Sequence, residues 1–200
     1  MKLFKMSIVV LLVVLLGFAG PVFADKEMSK EEQEMMKKFQ AFATPGESHK
    51  VLEFYAGKWD IQSKYWMKPG DKPIESKMEN VAEMILGGRY LKSVVKGNYM
   101  GMPFEGHNII AYDNHQKVYL STWIDNMGTS VLLVKGTTDK TGKIMTLEGT
   151  VDCIITGGKI KMRTVAKIVD KNKYTYEIFQ SGGMFGPKEF KAMEMVYLRK

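Results

Sequence analysis

Three histidines are the side chains in this sequence best suited to metal or haem chemistry. His49, His107 and His115 lie far apart in the chain, whereas a zinc site needs three or four convergent donors. His107 lies within a predicted strand and could hold a haem iron axially, although an ordinary strand histidine explains it more simply. We therefore predict no metal and no other cofactor, and keep haem or gas binding through His107 as a minor alternative.

The sixteen methionines raise the question of copper, because thioether ligands select Cu(I). Two M-x-M pairs occur, Met100 with Met102 and Met193 with Met195. Methionine more commonly fills gaps in a hydrophobic core, so copper is the less favoured interpretation. The sequence carries no motif for a nucleophilic serine, a zinc hydrolase or a phosphate-binding loop. The absence of these catalytic motifs favours a binding protein over an enzyme.

From residue 58 onward the hydrophobic pattern has the period of two that is typical of β-strands. Short turn sequences rich in Gly, Asn and Asp separate the segments. Strands are predicted near 58–67, 75–86, 89–99, 104–113, 117–125, 129–138, 143–153, 159–169, 173–180 and 189–199. Since no connection is long enough for a crossover helix, the strands must pair antiparallel in sequence order.

Such a meander leaves two unpaired edges unless it closes on itself. We predict a mainly β fold, an antiparallel up-and-down β-barrel of about ten strands with one or two N-terminal helices. A two-sheet sandwich is the alternative.

The interior of this barrel can be predicted from the alternation of polar and apolar residues along each strand. A barrel of this size can hold one small ligand, and the alternative is an interior filled by its own side chains. The predicted cavity-lining, ligand-binding residues are Ser63, Tyr65, Asn80, Met84, Ser93, Val95, Tyr99 and His107.

The first 24 residues have the pattern of a cleaved signal peptide. Lys2 and Lys5 supply the positive charge, residues 8–16 are continuously apolar, and Ala24 precedes the expected cut. The apolar run is shorter than the roughly 20 residues that span a bilayer, so a membrane anchor is less favoured. We expect a periplasmic or secreted protein with no stable membrane span after cleavage.

The remaining chain is predicted to contain residues 25–48 as a helix and linker, followed by a barrel domain over residues 49–200. Ser29 and Glu32 form the pattern of a capping box at the start of the helix. Cys153 is the only cysteine, so the fold must be stable without an intrachain disulfide.

A nucleic-acid-binding protein usually collects its basic residues in one patch or stripe. In this sequence the formal net charge of +7 is instead spread along the chain. The nearest cluster is Lys159, Lys161, Arg163 and Lys167. Its spacing is that of the solvent face of a strand. We therefore predict a small apolar ligand and no nucleic acid as partner, and make no prediction of oligomeric state.

Several linked motifs resemble a bacterial family known only as a domain of unknown function, number 1579. They are His49-Lys50-Val51-Leu52, Gly57-Lys58-Trp59, Leu86-Gly87-Gly88-Arg89-Tyr90, Gly101-Met102-Pro103-Phe104-Glu105-Gly106, Tyr112-Asp113-Asn114, Ser121-Thr122-Trp123-Ile124-Asp125 and Gly128-Thr129. The resemblance covers roughly 49–199. Ala111 departs from it, because such sequences often have glycine there.

The family resembles the calycins, the group that includes lipocalins and fatty-acid-binding proteins. This resemblance implies a barrel whose mouth takes apolar ligands, and it implies no known activity.

The Gly57-x-Trp59 segment is also similar to the G-x-W signature of lipocalins. In those proteins the tryptophan closes one end of the barrel under an arginine from the last strand, and Arg199 stands at the corresponding place. The resemblance implies that Trp59 and Arg199 form the barrel floor.

These observations together predict an exported barrel that binds a small apolar or lipid-like molecule. One alternative is an enzyme that uses the same cavity, for example an isomerase or a cyclase. The other is haem or gas binding through His107.

Overall fold

The computed structural model describes residues 28–200. The predicted signal peptide, residues 1–24, lies outside the described residues. Among the described residues, the chain divides into two units, residues 28–40 and 41–200. Helix α1 (Lys30–Ala43) begins with the predicted capping box, in which the Glu32 amide donates to Ser29 Oγ at 3.2 Å and the Ser29 amide donates to Glu32 Oε2 at 2.8 Å.

The second unit contains one short helix and ten strands. Their bounds are α2 (Glu47–Glu53), β1 (Gly57–Tyr65), β2 (Ile74–Ile85), β3 (Tyr90–Tyr99), β4 (Met102–Asp113), β5 (Val118–Asp125), β6 (Leu132–Thr138), β7 (Ile144–Asp152), β8 (Lys159–Asp170), β9 (Lys173–Gly182) and β10 (Phe190–Arg199). A short 3₁₀ helix, Gly183–Phe185, follows β9.

The ten strands form one closed antiparallel barrel in which each strand pairs with the next along the chain. The barrel closes between β1 and β10, where Trp59 lies opposite Arg199 and Tyr65 opposite Met193. Closure removes both sheet edges. The predicted up-and-down barrel of about ten strands is confirmed, and the sandwich alternative is wrong.

The strands bury alternate residues, as a sheet with one solvated face does. In β1 the side chains of Trp59, Ile61 and Ser63 are buried while their neighbours are exposed. The same alternation holds in β2 through Met78, Asn80 and Ala82, and in β3 through Leu91, Ser93 and Val95. The inward and outward faces of these three strands are therefore those the alternation predicts.

Because consecutive strands run in opposite directions, the connections fall alternately at the two ends of the barrel. We call one end the plugged end: it carries α2 and the turns 86–89, 114–117, 139–143 and 171–172. We call the other end the mouth: it carries the loops 66–73, 100–101, 126–131, 153–158 and 183–189. Within residues 28–200, no helix combines the length and the apolar character needed to cross a membrane.

Candidate functional site

The plugged end is sealed around Trp59, which is fully buried. Its indole Nε1 donates a hydrogen bond to the Tyr55 carbonyl at 2.9 Å. The guanidinium of Arg199 lies over the indole, 4.0 Å from the ring centroid, at a distance typical of a cation–π contact. Arg199 also donates to the carbonyls of Ala56, at 2.9 Å, and Phe54, at 2.7 Å. One arginine thus ties the last strand to the segment between α2 and β1.

Gly57 makes this close approach possible. Its φ of +124° lies in the region that favours glycine, and a Cβ built there would lie 2.7 Å from Arg199 Nη1. The G-x-W spacing therefore has a geometric reason in this chain. Glycine makes room for the arginine that covers Trp59.

Between the plugged end and the mouth, the barrel encloses a cavity of about 390 Å³. Most of its wall is aliphatic or aromatic, including Val95, Leu147 and Met195. Three hydrophilic side chains in the wall, those of Asn108, Ser121 and Ser63, form hydrogen bonds within the protein. Asn108 Nδ2 donates to Ser121 Oγ at 2.7 Å, and Ser63 Oγ lies 2.7 Å from Ser76 Oγ. These groups are thereby satisfied without a ligand.

Two deeply buried polar atoms of the lining have no hydrogen-bond partner among residues 28–200. They are the Tyr55 hydroxyl and Asn80 Oδ1, on side chains that are only 5% and 3% exposed. Burial raises the pKa of Tyr55 well above its ordinary value of 10, so the phenol stays protonated. Buried polar groups are nearly always paired, so these two atoms are the groups of the cavity wall that a ligand could still satisfy.

Aromatic rings from β1, β3, β4 and β5 form a row at the mouth. Tyr65 packs against Tyr99 with ring centroids 5.7 Å apart, Tyr99 against Phe104 at 6.0 Å, and Phe104 stacks on Trp123 at 6.3 Å. Gly106 leaves space for this row, because a Cβ there would lie 2.2 Å from Trp123 Cζ2.

Asp125 is the charged residue of the cavity wall within the described chain, and it lies at the mouth at the end of β5. Its carboxylate accepts hydrogen bonds from Trp123 Nε1 at 2.7 Å and from the Met127 amide at 2.9 Å. Both carboxylate oxygens are therefore engaged in holding the mouth loop.

Five of the eight predicted cavity residues line the cavity. They are Ser63, Asn80, Ser93, Val95 and Tyr99. Tyr65 and Met84 face inward on their strands but do not border the cavity. Tyr65 packs against the ring of Tyr99, and Met84 packs into the hydrophobic core, where α2 contacts β2.

His107 is not a cavity residue, and this corrects the prediction made from the sequence. It follows inward-facing Gly106 in β4 and lies on the outer face of the barrel. Its Nε2 is 2.8 Å from Glu105 Oε1, and Lys96 Nζ is 3.0 Å from the other oxygen of that carboxylate. Lys96 and His107 together lower the pKa of Glu105. Because His107 faces outward, it cannot ligate a haem iron inside the barrel.

Several lining residues were not predicted from the sequence, among them Tyr55, Asn108 and Trp123. Asn108 lies on the same face of β4 as Phe104, and Trp123 lies on the same face of β5 as Tyr119. The alternation of residues along these two strands could therefore have identified both. Tyr55 follows a helix and has no such pattern. Among residues 28–200 there is no group of three or more His, Cys, Asp or Glu side chains that could hold a metal ion.

A family model described as a protein of unknown function (DUF1579) matches residues 44–199. No curated protein matches the sequence significantly.

The solved structures that are similar to this chain include the following two. The crystal structure of Rv2717c from M. tuberculosis has a TM-score of 0.56 and 15% identity, and covers 78% of this chain and 99% of that chain. At this identity the likeness shows a shared fold alone. A redesigned β-barrel has a TM-score of 0.40 and 11% identity, and covers 75% of this chain and 95% of that chain. The family model spans most of the sequence and confirms the resemblance that the linked motifs indicated: this chain belongs to the DUF1579 family.

Proposed function

We propose that this barrel binds one small apolar or lipid-like molecule inside its cavity. The observation that carries the proposal is the enclosed volume of about 390 Å³, bounded mostly by aliphatic and aromatic side chains. Small-molecule sites commonly have volumes of about 300–1,000 Å³ and this kind of wall, with a few polar groups that orient the ligand. The Ser63 hydroxyl and the Asn108 amide are hydrogen-bonded within the protein, so few polar groups of the wall remain for a ligand.

The energetics allow a useful affinity. Burial of about 400 Å² of apolar ligand surface contributes roughly 10 kcal/mol. Association costs at least about 4 kcal/mol in lost translational and rotational freedom. The remaining ~6 kcal/mol corresponds to a dissociation constant of tens of micromolar, and additional buried surface strengthens binding.

Binding of a fluorescent lipid probe to the purified protein tests the proposal. Val95 is buried in the cavity wall, so Val95→Trp should fill the cavity and abolish saturable binding. Val81→Trp is the matched control, because Val81 is exposed on the outer face of the adjacent strand. It should bind the probe like the wild type.

Circular dichroism in the far ultraviolet establishes that both variants keep the barrel. Equal probe binding by a folded Val95→Trp variant would place the site on the outer surface and contradict the proposal.

We also propose that the protein is exported, so that the barrel acts in the periplasm or outside the cell. Lys2, Lys5, the apolar residues 8–16 and Ala24 support this. Cleavage after Ala24 would give a mature chain that begins at Asp25. Intact-mass measurement of the native protein checks it, and a mass that retains residues 1–24 would contradict cleavage.

A further inference from the structure

The two unpaired polar atoms of the cavity wall belong to residues near the plugged end. Asn80 lies directly opposite Trp59 in the β1–β2 ladder, and the Trp59 indole is bonded to the carbonyl of Tyr55. The Tyr55 ring packs edge-on against Tyr174 at 5.0 Å. Tyr55 and Asn80, which carry the two unpaired atoms, therefore both adjoin Trp59.

The two atoms need complementary partners. Asn80 Oδ1 is an acceptor and requires a donor, whereas a phenol hydroxyl can give its proton to an acceptor. An alcohol hydroxyl can do both at once, because it has one donor proton and two acceptor lone pairs. An ether oxygen can only accept, and an alkane does neither.

The charges of the cavity wall exclude an ionised head group beside these two atoms. Within the described chain, the wall contains no lysine, arginine or histidine, and its carboxylate, Asp125, is at the mouth. Arg199 is engaged by the carbonyls of Ala56 and Phe54 and by the face of Trp59. A carboxylate ligand here would be a buried charge without a counter-ion, which is strongly unfavourable, and it could not donate to Asn80 Oδ1.

From this geometry we propose that the barrel selects neutral lipid alcohols, whose hydroxyl donates to Asn80 Oδ1 and accepts from the Tyr55 hydroxyl while the hydrocarbon extends toward the mouth. The inference rests on the proposed function and names the ligand class of the same cavity. The aromatic row at the mouth then contacts the distal part of the hydrocarbon.

Displacement of the fluorescent lipid probe from the wild-type protein at neutral pH is the first test. The competitors are 1-decanol, its methyl ether and decanoate, which share one chain length and differ in the head group. We expect the alcohol to displace the probe at roughly tenfold lower concentration than the ether or the carboxylate, since one lost buried hydrogen bond has about this effect. Equal displacement by all three compounds would overturn the inference.

Variants identify the residues responsible. Tyr55→Phe and Asn80→Leu remove the polar atoms and keep similar shapes, so each should weaken 1-decanol binding about five- to tenfold. Asn80→Leu should leave the ether much less affected, because the ether cannot donate to Asn80 Oδ1, whereas Tyr55→Phe should weaken ether binding as well. Tyr90→Phe is the matched control, because it also removes a phenol hydroxyl, from a partly buried β3 residue that is not part of the cavity wall. It should bind 1-decanol within about twofold of the wild type.

The outcomes separate the two proposals. If the probe does not bind the wild type, the proposed function itself fails. If the probe binds, but folded Tyr55→Phe and Asn80→Leu variants keep full affinity for 1-decanol, the cavity binds apolar molecules without recognising a hydroxyl, and only the inference fails. The wild-type competitor series decides the question even if a variant does not fold.

Discussion

The two ends of the barrel are built differently. At the plugged end, Trp59 is fully buried, Arg199 covers it, and the Trp59 indole and the Arg199 guanidinium donate to backbone carbonyls. At the mouth, every loop carries at least one large apolar side chain that is exposed to solvent. In the two-residue loop 100–101 this side chain is Met100. Met127 is 46% exposed and also lines the cavity.

The turns at the plugged end are mostly polar, with Leu86 as an exposed exception. Packing therefore concentrates at one end of the barrel, while the other end leaves apolar groups accessible beside the cavity. The contrast indicates that the plugged end provides stability and the mouth provides access. Substitutions at the two ends should separate these contributions.

The largest expected effect is at Trp59. Trp59→Ala removes a fully buried indole and the platform of Arg199, and should lower the free energy of unfolding by about 3–5 kcal/mol. Urea denaturation measures this change. Trp123→Ala at the mouth is the matched control and should cost less, because that side chain is only partly buried. An equal loss in both variants would show that the two ends are equally well packed.

Gly106→Ala tests the packing of the mouth. The added Cβ would lie 2.2 Å from Trp123 Cζ2, so the indole must move, at a cost of about 1–3 kcal/mol. Gly128→Ala is the control, since its Cβ would meet no atom within 4 Å. Thermal unfolding and tryptophan fluorescence should change for Gly106→Ala alone. An unaltered fluorescence spectrum would mean that Trp123 is not held in this position.

His49 should make the plugged end sensitive to acid. Its Nδ1 accepts a hydrogen bond from the Gly46 amide at 3.0 Å at the start of α2. Burial, with a smaller contribution from Arg89, lowers the pKa of His49 below its ordinary 6.5, and a hydrogen bond to the Tyr112 backbone opposes part of this shift. The unfolded chain then binds the proton more readily than the folded one.

The free energy of unfolding should therefore fall as the pH drops below about 6.5, and level off once the pH is below the folded-state pKa of His49. His49→Gln keeps an acceptor for the Gly46 amide but does not titrate, so it should flatten this part of the profile. His115→Gln changes an exposed turn residue and should keep the wild-type profile. Urea denaturation at a series of pH values gives the comparison, and identical profiles for wild type and His49→Gln would contradict it.

The smallest expected effect is at the tip of a mouth loop. Ile154 is 98% exposed, so Ile154→Ser should change the free energy of unfolding by less than about 0.5 kcal/mol. Thermal unfolding checks this. A clear loss of stability would mean that the side chain is packed in solution, and would weaken the contrast between the two ends.

Local sequence patterns were sufficient for the strands and their faces. Trp59, Ile61 and Ser63 alternate with polar residues, and a strand turns successive side chains to opposite faces. The short turns left antiparallel neighbours as the one pairing scheme, and a closed barrel was favoured because closure removes the two unpaired edges. The same parity rule, applied to β4, would have placed His107 outside, because it shares a face with Glu105 and Ile109.

The sequence by itself thus determined the strand order, the barrel and most of the inward faces, because these depend on alternation between neighbours. Only the tertiary structure decided which inward-facing residues line the cavity and which pack into the hydrophobic core. Met84 and Asn80 face the same way on β2, but Met84 packs into the core whereas Asn80 borders the cavity. Tyr55, which follows α2, reaches the cavity only because the chain folds back across the plugged end. Its unpaired hydroxyl arises from contacts between residues distant in sequence, and no local pattern encodes such contacts.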